Sequence, residues 1–220
     1  MKRLIDLTLS LIAFLLISPL MIPVMILLRF TGEGEVFYRQ DRVGKDGRIF
    51  GLLKFATMLK NSPAIGAGLL TEKGDPRILP LGRFLRKTKI NELPQLINII
   101  KGDMSIVGPR PQALKHFEIY PERVKKEIIT LTPGLTGIGS IVFRDEETML
   151  HNSGRPYEDF YNNVIAPYKG ELEIWYKNHQ SILLDFKLIF LTAWVIFFPE
   201  SSLYKSMLKN LPEPPSQLKV

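Results

Sequence analysis

Asn91-Glu-Leu-Pro-Gln-Leu96, followed by Lys101-Gly-Asp-Met-Ser-Ile-Val-Gly-Pro-Arg-Pro111, is the stretch on which the reading of this chain turns. Proline is tolerated in the first turn of a helix, where its missing N–H would have had no partner, so Pro94 predicts a helix over 93–101. That start leaves Asn91 near the N-cap, where a side-chain oxygen has an ordinary capping use. A helix N-terminus is also an anion site, through its unpaired amide hydrogens and its dipole. Glu92 beside it offers a hard oxygen ligand for a divalent cation that bridges to phosphate. Cap and site residue both remain open for Asn91 on the sequence alone.

Two arginines flank this stretch. Arg110 is held between Pro109 and Pro111, so its backbone is stiff before any ligand arrives, and its planar fork suits a phosphate. Arg86 lies in the run Arg83-Phe-Leu-Arg-Lys-Thr-Lys89, which reads either as a solvated basic face or as part of the same phosphate-binding set. The three histidines, His116, His151 and His179, show no metal-ligand spacing, and neither a phosphate-loop glycine signature nor a serine-nucleophile elbow is present.

Working outward, the stretch from Leu7 to Leu28 carries no charge and is flanked by Lys2-Arg3 and by Arg29. It exceeds the roughly 20 residues needed to cross a bilayer, and no small-residue cleavage site follows it. Ser18-Pro19 and Pro23 lie mid-run, where proline removes a donor and kinks a helix. A simple span and a helix-break-helix that returns to its side of entry are both compatible with this pattern; positive charge at both ends favours return.

The 220 residues are 45% hydrophobic, carry a net charge of +7 and contain no cysteine, which fits anionic partners and excludes disulfides and Cys-ligated zinc. Short strands are expected over 36–40 and 49–55 around the turn Gly44-Lys-Asp-Gly47, a loop over 61–80, and helices over 111–130 and 155–180. The run Ile182–Phe198 holds Asp185 and Lys187, which makes it marginal for spanning and better suited to an interfacial or core helix. The tail from Pro199 lacks periodicity and reads as a loosely packed extension. Aromatic and basic residues are not interleaved as on single-strand nucleic-acid surfaces, so no nucleic-acid partner is expected.

Taken in order, the Lys-Arg apolar start with Ser18-Pro19, Gln40-Asp-Arg-Val-Gly44, Lys54-Phe-Ala-Thr-Met58, Leu81-Gly-Arg-Phe-Leu-Arg86, Glu92-Leu-Pro-Gln-Leu96, Lys101-Gly-Asp-Met-Ser105, Gly108-Pro-Arg-Pro111 and Pro133-Gly-Leu-Thr-Gly137 resemble the bacterial sugar transferases, the monotopic phosphoglycosyl transferases that act on polyprenol phosphate. The resemblance covers about residues 1–145. It implies an α/β, membrane-associated single domain with a re-entrant N-terminal helix over 1–32 kinked at Ser18 and Pro19. Residues 33–198 would form the catalytic domain with interfacial amphipathic helices, and 199–220 a C-terminal extension. It further implies magnesium-dependent transfer of a sugar 1-phosphate from a UDP-sugar to undecaprenyl phosphate, with release of UMP, at the cytoplasmic face of the bacterial inner membrane.

Carried over residue by residue, the resemblance puts Glu92 at the metal and the phosphates, with Asn91 and Arg110 beside it in the catalytic set. Lys54, Arg86, Arg110 and Arg144 would neutralise the diphosphate. The family has an Asp-Glu pair before Leu-Pro-Gln-Leu, the Asp acting as a nucleophile that takes up the phosphosugar; this chain has Asn91-Glu92. A neutral amide is a poor nucleophile, so three accounts stay open: Glu92 or Asp103 attacks, the acceptor phosphate attacks directly, or the protein binds without turnover. Ala56 and Gly139-Ser-Ile-Val-Phe143 also depart from the family pattern.

Overall fold

Lys2–Phe30 forms one helix, α1, and the helical backbone continues through both prolines. A kink at Ser18-Pro19 was the expectation, and both residues lie inside the one continuous helix. Pro19 cannot donate to the carbonyl of Leu15 four residues earlier, and the Ser18 hydroxyl donates to that carbonyl instead, at 3.1 Å. The computed structural model describes residues 1–65, 71 and 74–218. Among these, α1 is the one helix long and apolar enough to cross a membrane.

The other elements, in chain order, are β1 (Phe37–Val43), β2 (Ile49–Phe55), α2 (Pro80–Lys87), α3 (Gln95–Lys101), β3 (Ser105–Val107), α4 (Leu114–Phe117), α5 (Glu122–Ile128), β4 (Gly134–Thr136), α6 (Ile138–Val142), α7 (Glu146–Asn152), α8 (Tyr157–Phe160), α9 (Ala166–His179), α10 (Ile182–Phe197) and α11 (Leu203–Met207). Helix predominates over two two-stranded sheets, β1 with β2 and β3 with β4. The chain divides into two compact units, one of Met1, Arg3–Gln40 and Gly51–Gly102, the other of Lys2, Asp41–Phe50 and Asp103–Val220.

In the first unit, the C-terminal half of α1 is part of a core. Met21, Val24 and Leu28 pack with Phe55 and Leu85, flanked by Leu81, Ile90 and Leu93. Each such side chain contributes about 1.5–3 kcal/mol when fully buried, which seats α1 firmly on the rest of the unit. The opposite side of α1 exposes Leu4, Leu15, Leu16 and Phe30. Arg3, read from the sequence as a flanking charge, donates to the carbonyls of Ile99 at 2.5 Å and Ile100 at 2.8 Å and so caps the C-terminus of α3. Of the loop expected over 61–80, residues 66–70 and 72–73 lie outside the described residues. The remainder holds a buried ion pair: Arg77 donates to Asp75, and to the carbonyls of Ser62 at 2.8 Å and Ile65 at 2.7 Å.

In the second unit, β3 and β4 run parallel, with Ser105 opposite Gly134 and Val107 opposite Thr136. The helix expected over 111–130 is two short ones, α4 and α5, because Pro121 lacks an N–H and holds the residue before it out of the helical region. The helix expected over 155–180 is present as α8 and α9 joined by a π-turn, Tyr161–Ile165. Pro167 lies just beyond that turn and has no N–H for the carbonyl of Asn163, the kind of lost bond that wide turns absorb. Helix α10 buries Leu184, Leu188, Leu191 and Val195 against α6, β3 and β4 and leaves Leu183, Phe186, Phe190 and Phe197 exposed. The tail is better packed than its composition suggests. Ser201 accepts from Trp194 Nε1 at 2.9 Å, the Pro212 carbonyl accepts from the Tyr168 hydroxyl at 2.9 Å, and Leu208 is buried.

Candidate functional site

Strand β2 carries Lys54, and a 3-10 turn, Ile90–Glu92, carries Asn91 and Glu92. One side chain of α3 fixes the strand. Asn98, only 1% exposed, donates from Nδ2 to the Gly51 carbonyl at 2.9 Å and accepts the Leu53 N–H on Oδ1 at 3.0 Å. Its amide therefore pairs with the edge of β2 as a neighbouring strand would. Lys54, the next residue along, places Nζ 3.8 Å from Glu92 Oε1, with both side chains mostly buried.

Arg86 lies on α2, which packs against the Ile90–Glu92 turn. Its guanidinium donates to Thr71 Oγ1 at 3.1 Å and approaches Met58 Sδ at 3.8 Å. Helix α2 comes this close to the segment after β2 because of Gly82, where a Cβ would sit 2.2 Å from the Thr57 carbonyl oxygen. The same carbonyl accepts the Leu79 N–H at 3.0 Å, so Lys54-Phe-Ala-Thr-Met58 and Leu81-Gly-Arg-Phe-Leu-Arg86 are two sides of one backbone contact.

Asn91 does not cap α3. That helix starts at Gln95 behind Pro94 and has no side-chain cap, whereas Asn91 is 6% exposed inside the 3-10 turn. Its Oδ1 is buried without a hydrogen-bond partner, as is Nε2 of Gln95 one turn on. The turn is entered through Lys89 at φ 60° and ψ 9°, a left-handed conformation that costs a non-glycine residue about 1–2 kcal/mol. An orphaned acceptor and a strained entry meet at these positions, and neither was visible in the sequence.

Among the described residues no three His, Asp or Glu side chains gather as a metal site. Magnesium asks for less, one or two protein oxygens, with waters and substrate phosphates completing the octahedron. The Glu92 carboxylate and the unpartnered carbonyl oxygen of Asn91 fit that donor set.

The second unit holds Arg110 and Arg144. The Gly108-Pro-Arg-Pro111 loop leaves β3 with its backbone pinned on all sides. Gly108 N–H donates to the Thr136 carbonyl at 2.9 Å, the Pro109 carbonyl accepts from Gly134 N–H at 2.8 Å, and the Gln112 carbonyl accepts from Val43 N–H at 2.9 Å. Arg42 donates to the Pro111 carbonyl at 3.3 Å. Only glycine fits at the crossing, since a Cβ on Gly134 would lie 2.1 Å from Gly108 N and one on Gly137 would lie 2.3 Å from Gly108 O. This explains why Gly108-Pro-Arg-Pro111 and Pro133-Gly-Leu-Thr-Gly137 belong together.

Arg144 follows α6 and is half-buried; burial pushes its guanidinium down from its ordinary range, partly offset by Asp145. Two buried groups that the sequence reading did not single out stand behind these arginines on α9. Lys169 pairs with Glu146 and lies 5.1 Å from the Phe143 ring centre and 5.3 Å from that of Tyr161. Glu173, one turn on, is 4% exposed and accepts the backbone N–H groups of Arg110 and Gly139. Burial pushes its carboxyl up to about 7, with Lys169 and the two N–H donors opposing the shift. Tyr120 and Tyr176 feel its charge.

Two of the three histidines serve packing, and the third, His151, is exposed. His116 is buried against Tyr161, with its pKa lowered first by burial and then by Arg42, and His179 stacks on Trp175 at 4.7 Å.

With this geometry in hand, comparison with known proteins is informative. The family described as bacterial sugar transferase matches residues 1–199. A UDP-glucose:undecaprenyl-phosphate glucose-1-phosphate transferase of Klebsiella pneumoniae is 33% identical over 205 residues, 91% of this chain and 41% of that protein. An undecaprenyl-phosphate galactose phosphotransferase of Salmonella typhimurium is 33% identical over 210 residues, 89% of this chain and 40% of that protein. This chain thus spans about two fifths of the length of those two relatives. The exopolysaccharide production protein ExoY of Sinorhizobium fredii is nearer in size, 34% identical over 205 residues that cover 87% of this chain and 83% of its own length. The chain belongs to the bacterial sugar transferase family.

Proposed function

We propose that this protein transfers a sugar 1-phosphate from a UDP-sugar to undecaprenyl phosphate at the cytoplasmic face of the bacterial inner membrane, and so begins the assembly of a glycan. The observation that carries the reading is the Lys54–Glu92 pair, next in sequence to Asn91 with its unpartnered Oδ1, in a chain that belongs to the family. Family membership and the names of the relatives supply the substrate classes.

In the reaction an oxygen of the acceptor phosphate becomes bonded to the sugar-bearing phosphorus, and the bond from that phosphorus to the bridging oxygen breaks, so that UMP leaves with the bridging oxygen. Magnesium, when bound, supplies charge neutralisation of the diphosphate and its leaving oxygen. Glu92 would hold the cation, and Lys54 lies against that carboxylate with Nζ 3.8 Å from Oε1. Arg86, on the helix that packs against the Ile90–Glu92 turn, offers positive charge to the phosphate oxygens, and the family resemblance adds Arg110 and Arg144. Asn91 accepts no proton and presents no anionic oxygen, so direct attack by the acceptor phosphate is the route that suits this chain best. Helix α1, with its exposed leucines, and the exposed Phe186, Phe190 and Phe197 of α10 give the apolar contact with the bilayer that a polyprenyl substrate requires.

The neutral amide at Asn91 also favours a second reading, a relative that binds the same substrates without turnover. A UMP-release screen over UDP-sugars, with undecaprenyl phosphate and magnesium, separates the two. Release by wild type that is abolished in Glu92→Gln supports transfer. Silence of wild type with every donor, together with gain of release in Asn91→Asp, supports the binding relative. Full activity of Glu92→Gln would move the catalytic centre elsewhere.

A further inference from the structure

Gly108-Pro-Arg-Pro111 contains an unusual arrangement of donors: Pro109 and Pro111 have no N–H, so Arg110 carries the one backbone donor between them. That donor goes to Glu173, a carboxylate buried at 4% exposure on α9 and more than sixty positions away in sequence. The Oε2 atom of Glu173 has no partner, and the carboxyl takes the Arg110 and Gly139 N–H groups. Gly139 lies close by necessity, because a Cβ there would sit 2.5 Å from Glu173 Oε1.

A buried carboxylate with one unpaired oxygen is a costly way to hold a loop. A side chain that accepted the same two N–H groups without a charge would do it more cheaply. What the side chain adds is an acceptor that holds the backbone of Arg110 and the start of α6. Arg144 lies two residues past the end of α6.

We propose that Glu173 is a positioning residue: by accepting the Arg110 and Gly139 N–H groups, it fixes the direction in which the Arg110 guanidinium meets substrate phosphate. The inference rests on the reading of Arg110 as a phosphate-binding residue.

The test is a double-mutant cycle on full-length protein in vesicles, read as kcat/KM for UMP release, with Tm measured for every variant. Glu173→Met removes the acceptor. Gly139→Ala leaves the acid in place but drives its carboxylate off the Arg110 N–H. Glu173→Gln keeps an acceptor oxygen where Oε1 stands. The expected result is a loss of about tenfold or more in Glu173→Met and Gly139→Ala, and a change within about threefold in Glu173→Gln. In an Arg110→Ala background neither Glu173→Met nor Gly139→Ala should add a further loss, since residues acting through one another are not additive. Amide exchange of the peptide spanning 108–112 should quicken in Glu173→Met and stay slow in Glu173→Gln; this needs no turnover. If Glu173→Met fails to fold, Gly139→Ala carries the cycle. Additive losses in the Arg110→Ala background, or wild-type exchange at Arg110 in both Glu173→Met and Gly139→Ala, overturn the positioning role and leave the reading of Arg110 intact. Wild-type kinetics in Arg110→Ala itself would remove Arg110 from the site and take the proposal with it.

Discussion

The position that ties the fold of the first unit to its chemistry is Asn98, and its replacement has a calculable cost. The side chain makes two hydrogen bonds to the edge of β2, to the Gly51 carbonyl at 2.9 Å and from the Leu53 N–H at 3.0 Å, from a site that is 1% exposed. Asn98→Leu preserves the bulk and removes both bonds, leaving a backbone donor and acceptor without partners. Each loses about 0.5–1.5 kcal/mol of net bonding, and up to about 1–3 kcal/mol where water cannot reach it. Both groups lie on a half-buried strand, so the lower part of that range applies and the expected loss is about 2–3 kcal/mol.

Asn98→Asp gives the sharper readout. An ionised carboxylate still accepts from Leu53 but faces the Gly51 carbonyl with no proton to donate, whereas the protonated acid restores both bonds. Burial and the carbonyl both raise the folded pKa of the new carboxyl above its unfolded value. Its stability is therefore near wild type at low pH and is lost as the pH rises through that folded pKa. Chemical denaturation in detergent micelles from pH 4 to pH 8 measures both variants. If Asn98→Leu stays within about 0.5 kcal/mol of wild type, a change typical of ordinary surface sites, and Asn98→Asp shows no dependence on pH, the amide is not what holds β2.

Three further outcomes follow from the same geometry. Arg110→Lys keeps the charge but loses the planar fork, so kcat/KM for UMP release should fall about 10–100-fold while Tm stays near wild type, a loss of about 1.4 kcal/mol per factor of ten. Glu173 has its folded pKa raised from 4.5 to about 7, so its contribution to stability is fully present below its unfolded pKa and is lost as the pH rises through about 7. Glu173→Gln should accordingly gain on wild type between pH 5 and pH 8, by up to about 3 kcal/mol at 1.36 kcal/mol per pKa unit, and denaturation at the two pH values checks this. The chain has no cysteine, so single cysteines inserted after Met1 and at Thr31 report topology without background. In sealed inner-membrane vesicles both should be labelled from the cytoplasmic side if α1 returns, and from opposite sides if it spans.

What the sequence disclosed follows physical scale. Helix α1 and helix α10 are long apolar runs, and β1 and β2 flank a glycine turn, so each carries enough periodicity or composition to be read directly. Strands β3 and β4 are three residues each, too short for an alternating pattern, and their pairing depends on glycines brought together across more than twenty intervening residues. The stop at Pro121 was legible in principle, since proline within a helical pattern ends it, but the surrounding apolar and charged spacing masked it. The site divides in the same way. Arg110, Lys54 and Glu92 are charged residues in motifs and stand out in the sequence as candidates, whereas Asn98 and Glu173 bond to backbone groups far away in sequence and look like ordinary polar positions on helices.

That same contrast bears on Asn91. As a cap it would need no further account, but it is buried in the turn ahead of α3 with an oxygen that bonds to nothing, at a cost of about 1–3 kcal/mol for a buried acceptor. Where the resemblance expects an aspartate, an amide carries one negative charge fewer next to Glu92, so the ionisable groups Lys54, Glu92 and Arg86 of this unit sum to a positive charge where a second carboxylate would have cancelled it. For an enzyme that forms a covalent phosphosugar this loses the nucleophile. For direct displacement it is an advantage, because an acceptor phosphate approaching a diphosphate must overcome like-charge repulsion, and each carboxylate absent from the site lowers that barrier. The amide keeps the oxygen that a cation or a ligand donor can use, and discards the charge that an incoming anion would meet.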